Sequence, residues 1–246
     1  MVHASILLQI RDGLIVSCQA QEQDPLFGSG MMTRMALAAK DGGAVGIRAN
    51  GGEDIRSIKE TTGLPVIGIV KRVYPNSEVY ITPTMREVDE VVANGADIVA
   101  LDATMRPRPD GQSSHDFLRE VKEKYPHILV MADVSTFEEG QRAEADGADL
   151  VASTMSGYTE YTRHKTVPDF ALLERLAKSV KVPIVAEGRI SYPEQAKQCL
   201  EVGCWSVVVG SAITRPQEIT RAFVEYINQG TREDEESLDL RINEAK

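Results

Sequence analysis

The stretch ANGADIVALDA, residues 93–103, decides the fold class of this chain. Gly95 ends an amphipathic segment, a short aliphatic run follows, and the run closes on Asp102. A glycine in this position supplies the left-handed helix cap that lets the chain turn into a strand. The same phrase recurs as KDGGAVGIRA, ADGADLVAST and EVGCWSVVVGS, around Gly42, Gly147 and Gly203. The chain therefore repeats a strand–helix unit.

A second kind of break lies between these glycines, which are 53, 52 and 56 residues apart, about twice the length of one unit. In LPVIGIVK, YPHILVMAD and VPIVAEG, a proline (Pro65, Pro126, Pro183) stops the preceding helix before the strand. With the opening run LIVSCQ, eight strands are predicted, each followed by a helix, at roughly 14–18, 44–47, 65–70, 97–101, 128–132, 149–152, 183–186 and 205–209.

Eight parallel units whose strands are almost entirely aliphatic predict an α/β fold, a single (β/α)8 TIM barrel. An open doubly wound sheet is the alternative, and it is disfavoured because no GxGxxG follows the first strand. We expect residues 1–246 to form this one catalytic domain, with an acidic tail over about 230–246.

Composition limits the classes of function and location. The net charge of −10 disfavours binding to nucleic acid or an anionic membrane surface, so any anionic ligand must be held locally. Three cysteines argue against a disulfide framework, and the amino terminus resembles neither a signal peptide nor a membrane span. We therefore expect a cytoplasmic protein; a homodimer is compatible with the sequence, which does not fix the oligomeric state.

Polar residues close the predicted strands, where barrels of this type carry their active sites. Taken singly, such residues could form an ion-pair ring, for instance of Arg48, Asp102 and Asp133, that only closes the top of the barrel. As a set converging on one mouth they favour a functional site. In chain order they are Gln19, Arg48, Lys71, Asp102, Asp133, Ser153 with Thr154, Glu187, and Gly210 with Ser211.

Two of these residues suit proton transfer. Lys71 directly follows VIGIV, so partial desolvation and the charge of Arg48 or Arg72 are expected to depress its pKa and make it a base. Glu187 approaches from strand seven as a general acid. The structural alternatives are a surface lysine at Lys71 and a salt bridge from Glu187 to Arg189 or Lys71.

The loops after strands seven and eight, EGRI and GSAITRP, predict a phosphate site. Gly188 and Gly210 allow close backbone approach, Ser211 offers a hydroxyl, and Arg189 or Arg215 could add a charged clamp. Alternatively, both glycines only shape tight turns. The four histidines share no ligand spacing and no nicotinamide or flavin fingerprint appears, so neither a metal nor a cofactor is expected.

From about Leu14 to about Tyr226, the chain resembles the N-acetylmannosamine-6-phosphate 2-epimerase family, TIM-barrel enzymes of bacterial sialic-acid catabolism. The resemblance rests on LIVSCQAQEQDPLFG, GAVGIRANG, LPVIGIVKRVYP, VYITPT, DIVALDAT, ADVST, DLVASTMSGYT, VPIVAEGRI and VVVGSAITRP.

The resemblance implies interconversion of N-acetylmannosamine 6-phosphate and N-acetylglucosamine 6-phosphate without a metal or redox cofactor, with Lys71 and Glu187 catalytic. It further implies that the sugar lies near Gln19, Arg48 and Asp133, and the phosphate near Gly188, Arg189, Gly210, Ser211 and Arg215. Two rival functions stay open: a phosphate-binding lyase or synthase that uses Lys71 as a Schiff base, and a catalytically silent sugar-phosphate sensor.

Overall fold

The eight strands form a closed parallel barrel in the order β1 to β8, as predicted. We describe residues 2–28 and 30–228 of a computed structural model. Each strand pairs with its neighbours in sequence, and β1 closes the ring on β8 through Leu14 and Val207. The strands are β1 Leu14–Cys18, β2 Gly46–Asn50, β3 Val66–Ile69, β4 Ile98–Asp102, β5 Leu129–Asp133, β6 Leu150–Ala152, β7 Ile184–Glu187 and β8 Ser206–Val209.

Helices follow every strand and cover the outside of the barrel. They are α2 Met31–Asp41, α3 Gly52–Thr62, α4 Met85–Ala93, α5 Ser114–Lys124, α6 Phe137–Ala145, α7 Phe170–Ser179, α8 Pro193–Glu201 and α9 Ser211–Thr214, after which residues 216–228 are helical. Capping boxes begin α4 and α6, through Thr84 with Glu87 and Thr136 with Glu139. These two capping boxes are separated by two strand–helix units, which is also the spacing of the glycines that end the helices.

Two apolar layers hold the fold together. The larger one lies between the strands and the helices, and the second fills the barrel interior. Because side chains alternate across a strand, every second residue points inward. In β3, for example, Ile67 and Ile69 belong to the interior layer, whereas Val66 and Val70 belong to the outer one. This phase decides which side chains reach the barrel mouth, the open end at the carboxyl ends of the strands.

A helix that precedes the barrel, α1 Val2–Ile10, lies at the amino ends of the strands. Ile10 is fully buried and packs in the interior layer together with Ile6 and Leu7. The indole Nε1 of Trp205 donates to the carbonyl oxygen of Leu7 at 2.8 Å. No secondary structure was predicted for this segment, which closes the barrel at the end opposite the mouth.

Two local expectations differ from the structure. At the end of α2, Gly42 is right-handed, with φ −75°, and the left-handed cap is Gly43, with φ 94°. Because the cap extends one residue further, the second strand begins at Gly46 rather than at residue 44. The other three glycines, Gly95, Gly147 and Gly203, take the expected positive φ.

The helix 216–228 is exposed along its last turns, where Phe223 and Tyr226 are 68% and 79% exposed. The predicted acidic tail, about 230–246, lies outside the described residues. Within the described part of the chain, none of the helices has the length and apolar content that a membrane crossing requires.

Candidate active site at the barrel mouth

The alternation within each strand brings the predicted residues together. Lys71 continues the inward phase of Ile67 and Ile69, and Asp133 that of Leu129 and Met131. Gln19, Arg48 and Glu187 also reach the mouth by this alternation, and all but Asp133 line one cavity of about 420 Å³. The sequence had suggested the strand ends, and the period of two explains why their side chains converge.

Arg48 is the centre of a buried ion cluster. Its guanidinium, 1% exposed, donates to both carboxylate oxygens of Asp133, with Nη1–Oδ1 3.1 Å and Nη2–Oδ2 2.6 Å. Nη1 also donates to Oε2 of Glu187 at 2.5 Å. The hydroxyl of Thr154 lies 2.7 Å from Asp133 Oδ1 and 3.1 Å from Glu187 Oε2, and it can donate to only one of them at a time. The cluster fixes the Glu187 carboxyl through Oε2.

The structural alternatives considered from the sequence hold only in part. Arg48 and Asp133 do pair, but Asp102 pairs with Arg106 instead, at 2.6 Å. Glu187 pairs with Arg48, not with Arg189 or Lys71. A simple ring of strand-end charges is therefore not what closes the mouth.

Lys71 lines the cavity without a carboxylate partner within salt-bridge distance in residues 2–28 and 30–228. Its backbone is held firmly, because its N–H donates to Asn50 Oδ1 at 2.8 Å and the residue forms an antiparallel bridge with Ile81. The next residue, Arg72, donates to the fully buried Glu87 at 2.7 Å. The ammonium group is thus presented to the cavity by an anchored loop.

The pKa values of the two groups are shifted toward each other. Burial, followed by the charge of Arg48, lowers the pKa of Lys71 to about 8. Burial also raises the pKa of Glu187 to about 7, with the charge of Asp133 adding to the effect and that of Arg48 opposing it. A lysine and a carboxyl group that both titrate near neutrality can exchange protons with a ligand.

The other two residues predicted to lie near the sugar, Gln19 and Asp133, differ in their access to the cavity. Gln19 lines the cavity, donates to Ser17 Oγ at 2.7 Å, and leaves its buried Oε1 without a partner among the described residues. Asp133 is 0% exposed and does not line the cavity, since Arg48 lies between it and the opening. Its direct contact with a sugar stays a prediction that this geometry does not favour.

The loops after β7 and β8 form one wall of the cavity. Gly188 and Arg189 have positive φ values, 102° and 61°, and the N–H groups of Arg189 and Ser211 donate to no other described residue. Arg215 lies at the cavity and pairs with Asp24 at 3.6 Å and Glu218 at 3.1 Å. All five residues predicted to hold the phosphate, Gly188, Arg189, Gly210, Ser211 and Arg215, line the cavity.

Among the lining residues that the sequence did not single out are Thr154, named only as a strand end, Tyr80 and Tyr158. For Thr154 the signal was present, because it continues the inward phase of Leu150 and Ala152. The two tyrosines lie on long loops, where no periodicity applies. Among the described residues, no group of three or more His, Cys, Asp or Glu is arranged to hold a metal ion.

The fold and this mouth define a (β/α)8 barrel with a lysine and a carboxyl group of shifted pKa beside a wall formed by the loops after β7 and β8. A family model described as "Putative N-acetylmannosamine-6-phosphate epimerase" matches residues 32–229. A relative of the description "Putative N-acetylmannosamine-6-phosphate 2-epimerase" from Caldanaerobacter subterraneus subsp. tengcongensis is 56% identical over 91% of this chain and 94% of its own length. The chain belongs to this epimerase family.

Further relatives agree with this assignment. A protein of the same description from Clostridioides difficile is 51% identical, over 90% of this chain and 99% of its own. The solved structure of the N-acetylmannosamine-6-phosphate 2-epimerase from Clostridium perfringens matches with a TM-score of 0.86 and 51% identity, covering 89% of this chain and 95% of that one. The resemblance predicted from the sequence is confirmed at the level of the family.

Proposed function

We propose that this protein interconverts N-acetylmannosamine 6-phosphate and N-acetylglucosamine 6-phosphate by moving the proton on C2 of the open-chain sugar. The observation that carries the proposal is the presence, in one cavity, of a carboxyl group and of a lysine with no salt-bridge partner among the described residues, whose pKa values are about 7 and 8. The name of the family supports the choice of substrate.

The chemistry follows from the acidity of C2, which lies next to the C1 aldehyde in the open-chain form. Neutral Lys71 removes the C2 proton, and the electron pair moves onto the C1 oxygen. Glu187, in its protonated form, donates a hydrogen bond or its proton to that oxygen; each such step typically contributes about 10² to 10⁴ in rate. A proton is then returned to the opposite face of C2, either by protonated Lys71 after rotation of the intermediate or by a second acid on that face, while Glu187 recovers its proton from the C1 oxygen. This gives the epimer, and no external cofactor is required.

The other polar groups orient the sugar and hold its phosphate. Gln19 Oε1 is available to accept a hydrogen bond from a hydroxyl group of the sugar. Arg48 fixes the Glu187 carboxyl through Oε2. Asp133 acts through Arg48. The N–H groups after β7 and β8, with Arg189 and Arg215, are suited to a phosphate group.

The decisive measurement is proton NMR of N-acetylmannosamine 6-phosphate with the protein in deuterated buffer. Turnover should replace the hydrogen on C2 with deuterium, and product formation with the original hydrogen retained would exclude this mechanism. Lys71→Ala should abolish exchange while substrate still binds, whereas Arg215→Ala should mainly weaken binding. Borohydride trapping of Lys71 would favour the Schiff-base rival, and binding without exchange would favour the sensor.

We also propose that the protein is a homodimer. An apolar groove of about 430 Å³ lies on the outer wall of the barrel beside β8 and β1, lined mainly by Leu14, Ala196, Leu200, Val207, Val209 and Ile213. In barrels of this type a helix after strand eight covers that wall. The helix 216–228 instead exposes Phe223 and Tyr226. An exposed apolar helix and an open apolar groove on one chain are complementary between two copies.

Light scattering tests the dimer. The full chain should have twice the monomer mass, and Phe223→Glu should yield monomers, whereas Leu8→Glu, at a residue 61% exposed on α1, should not. A monomeric full chain would refute the dimer and favour residues 229–246 as the cover of the groove. The cytoplasmic location predicted from the sequence stays a prediction.

A further inference from the structure

The loop between β6 and α7 contributes to the cavity wall, although its residues after Thr154 do not lie at a strand end. Two of its residues, Tyr158 and Thr166, line the cavity next to Arg189. Tyr158 is 48% exposed, so its ring is not held there as part of the apolar core. Its position needs another reason.

This loop contacts the Arg189 side chain on two sides. Its guanidinium carbon lies over the ring of Tyr158, 4.2 Å from the ring centroid. Nη2 donates to the carbonyl oxygen of Gly157 at 2.8 Å. The buried Nε has no hydrogen-bond partner among the described residues. An arginine over an aromatic face, with a second group fixed by a carbonyl, has a well-defined orientation.

The backbone conformations of Gly157 and Arg189 are both unusual and allow this contact. Gly157 has φ 87°, and a Cβ atom there would lie 3.1 Å from Arg189 Nε and 2.4 Å from the carbonyl oxygen of Lys165. Only glycine therefore permits the arginine to come so close. Arg189 itself has φ 61°, a left-handed conformation that is uncommon for residues other than glycine and is concentrated at functional sites.

The positive charge of Arg189 is available to an anionic ligand. In the described ranges it has no carboxylate partner, whereas Arg215 has Asp24 and Glu218, and Arg48 has Asp133 and Glu187. Of the arginines that line the cavity, Arg189 is thus the one whose net charge the described residues leave uncompensated. Its neighbours Tyr158 and Gly157 orient it without neutralising it.

We propose that Tyr158, together with the carbonyl of Gly157, is a platform that orients Arg189 toward the phosphate of the substrate, so that the β6–α7 loop determines affinity for the phosphorylated sugar. This inference rests on the proposed function. Tyr158 is a positioning residue: it acts through Arg189 on binding and has no part in proton transfer at C2.

Steady-state kinetics with N-acetylmannosamine 6-phosphate, and competitive inhibition by inorganic phosphate, test the platform. Tyr158→Ala should raise KM and the inhibition constant of phosphate together, by about 3- to 30-fold, which is the range of a cation–π contact. kcat should change by less than about twofold, because the proton-transfer pair is untouched. Tyr158→Phe should restore both values, since the phenol oxygen bonds to no described residue.

Arg175 offers a matched control, because it stacks on Phe137 at 4.1 Å but does not line the cavity. Arg175→Ala should leave KM, kcat and phosphate inhibition unchanged. In an Arg189→Ala background, Tyr158→Ala should have no further effect, because the group that it orients is gone.

The outcomes separate the platform from the function on which it rests. Unchanged phosphate inhibition in Arg189→Ala would overturn the phosphate assignment within the proposed function. A loss of phosphate affinity in Arg189→Ala but not in Tyr158→Ala would overturn the platform alone. A fall in kcat with constant KM in Tyr158→Ala would place the tyrosine in the chemistry and would likewise overturn its role as a platform.

Discussion

Asp133→Asn is the substitution whose effect on proton transfer can be worked out most fully. Asp133 is completely buried and bonds to Arg48 through both oxygens, without lining the cavity. Asparagine has nearly the same shape and keeps one acceptor, so the change removes a charge and little volume. The expected loss of folding stability is that of a hydrogen bond to a charged group, about 1.5–3 kcal/mol.

The magnitude of the catalytic effect follows from two pKa values. Because the pKa of Lys71 is about 8 and that of Glu187 about 7, the one proton that they share near neutrality resides mostly on Lys71. In the form that can react, this proton is on Glu187 and Lys71 is neutral. Because the pKa of Lys71 lies above that of Glu187, this form is the less populated of the two. The maximal rate therefore depends on the gap between the two pKa values.

Removing the Asp133 charge widens this gap. Burial is the main cause of the raised pKa of Glu187, and the Asp133 charge adds to it, so the pKa of Glu187 should fall in Asp133→Asn. Burial also dominates the lowered pKa of Lys71, on which Asp133 is the weakest of the five influences, so that pKa should move less. Each unit of widening should lower the maximal rate about tenfold.

The assay is the pH dependence of deuterium incorporation at C2, followed by proton NMR at substrate concentrations well below KM, where the profile reports the ionisations of the free enzyme. The pH–rate profile should be bell-shaped, and its acidic limb should report the pKa of Glu187. In Asp133→Asn this limb should move to lower pH, and the maximal rate should fall in proportion to the shift of this pKa. A displaced limb with an undiminished maximum would refute the reasoning, as would a lower maximum with an unmoved limb. Asp102→Asn, at the end of β4, is the control and should leave the Glu187 limb in place.

Two further predictions concern the two ends of the barrel. Ile10→Ala should lower the free energy of unfolding by about 2–5 kcal/mol, because this fully buried side chain closes the barrel interior; urea denaturation measures it, and kcat should stay unchanged since the residue is remote from the mouth. Gly188→Ala should raise KM more than it lowers kcat, because alanine disfavours φ 102° and the added Cβ would lie 3.4 Å from the Thr154 carbonyl oxygen; equal binding with lower kcat would contradict a role in phosphate binding.

The barrel was predictable because its signals are local and repeated. Glycines such as Gly95 and Gly147 and prolines such as Pro65 mark unit boundaries, and these breaks need no knowledge of tertiary structure. The N-terminal helix was not predictable in this way, since α1 lies outside the repeat. It is stabilised by contacts distant in sequence, such as Trp205 with Leu7.

The site was predictable to the extent that it lies on strands. Lys71 and Glu187 could be chosen from their strand-end positions alone, and the inward phase would also have selected Thr154. The depth of a side chain was not predictable: Asp133, whose contact with the sugar stays a prediction, is fully buried and does not line the cavity. Tyr158 escaped notice because a loop residue acquires its neighbour, Arg189, only when the barrel closes.

The arrangement of charges explains how an acidic chain can bind an anionic sugar. With a net charge of −10, long-range attraction of a phosphate is unfavourable, and screening limits electrostatic effects to about 8 Å at physiological salt. Attraction must therefore come from cations at the mouth that are not already compensated. Lys71 and Arg189 meet this condition, from β3 and from the loop after β7, whereas Arg48 is paired with Asp133 and Glu187. Because β3 and β7 are opposite one another in an eight-stranded ring, the proposed phosphate site near Arg189 and the proposed base Lys71 lie across the barrel axis from each other.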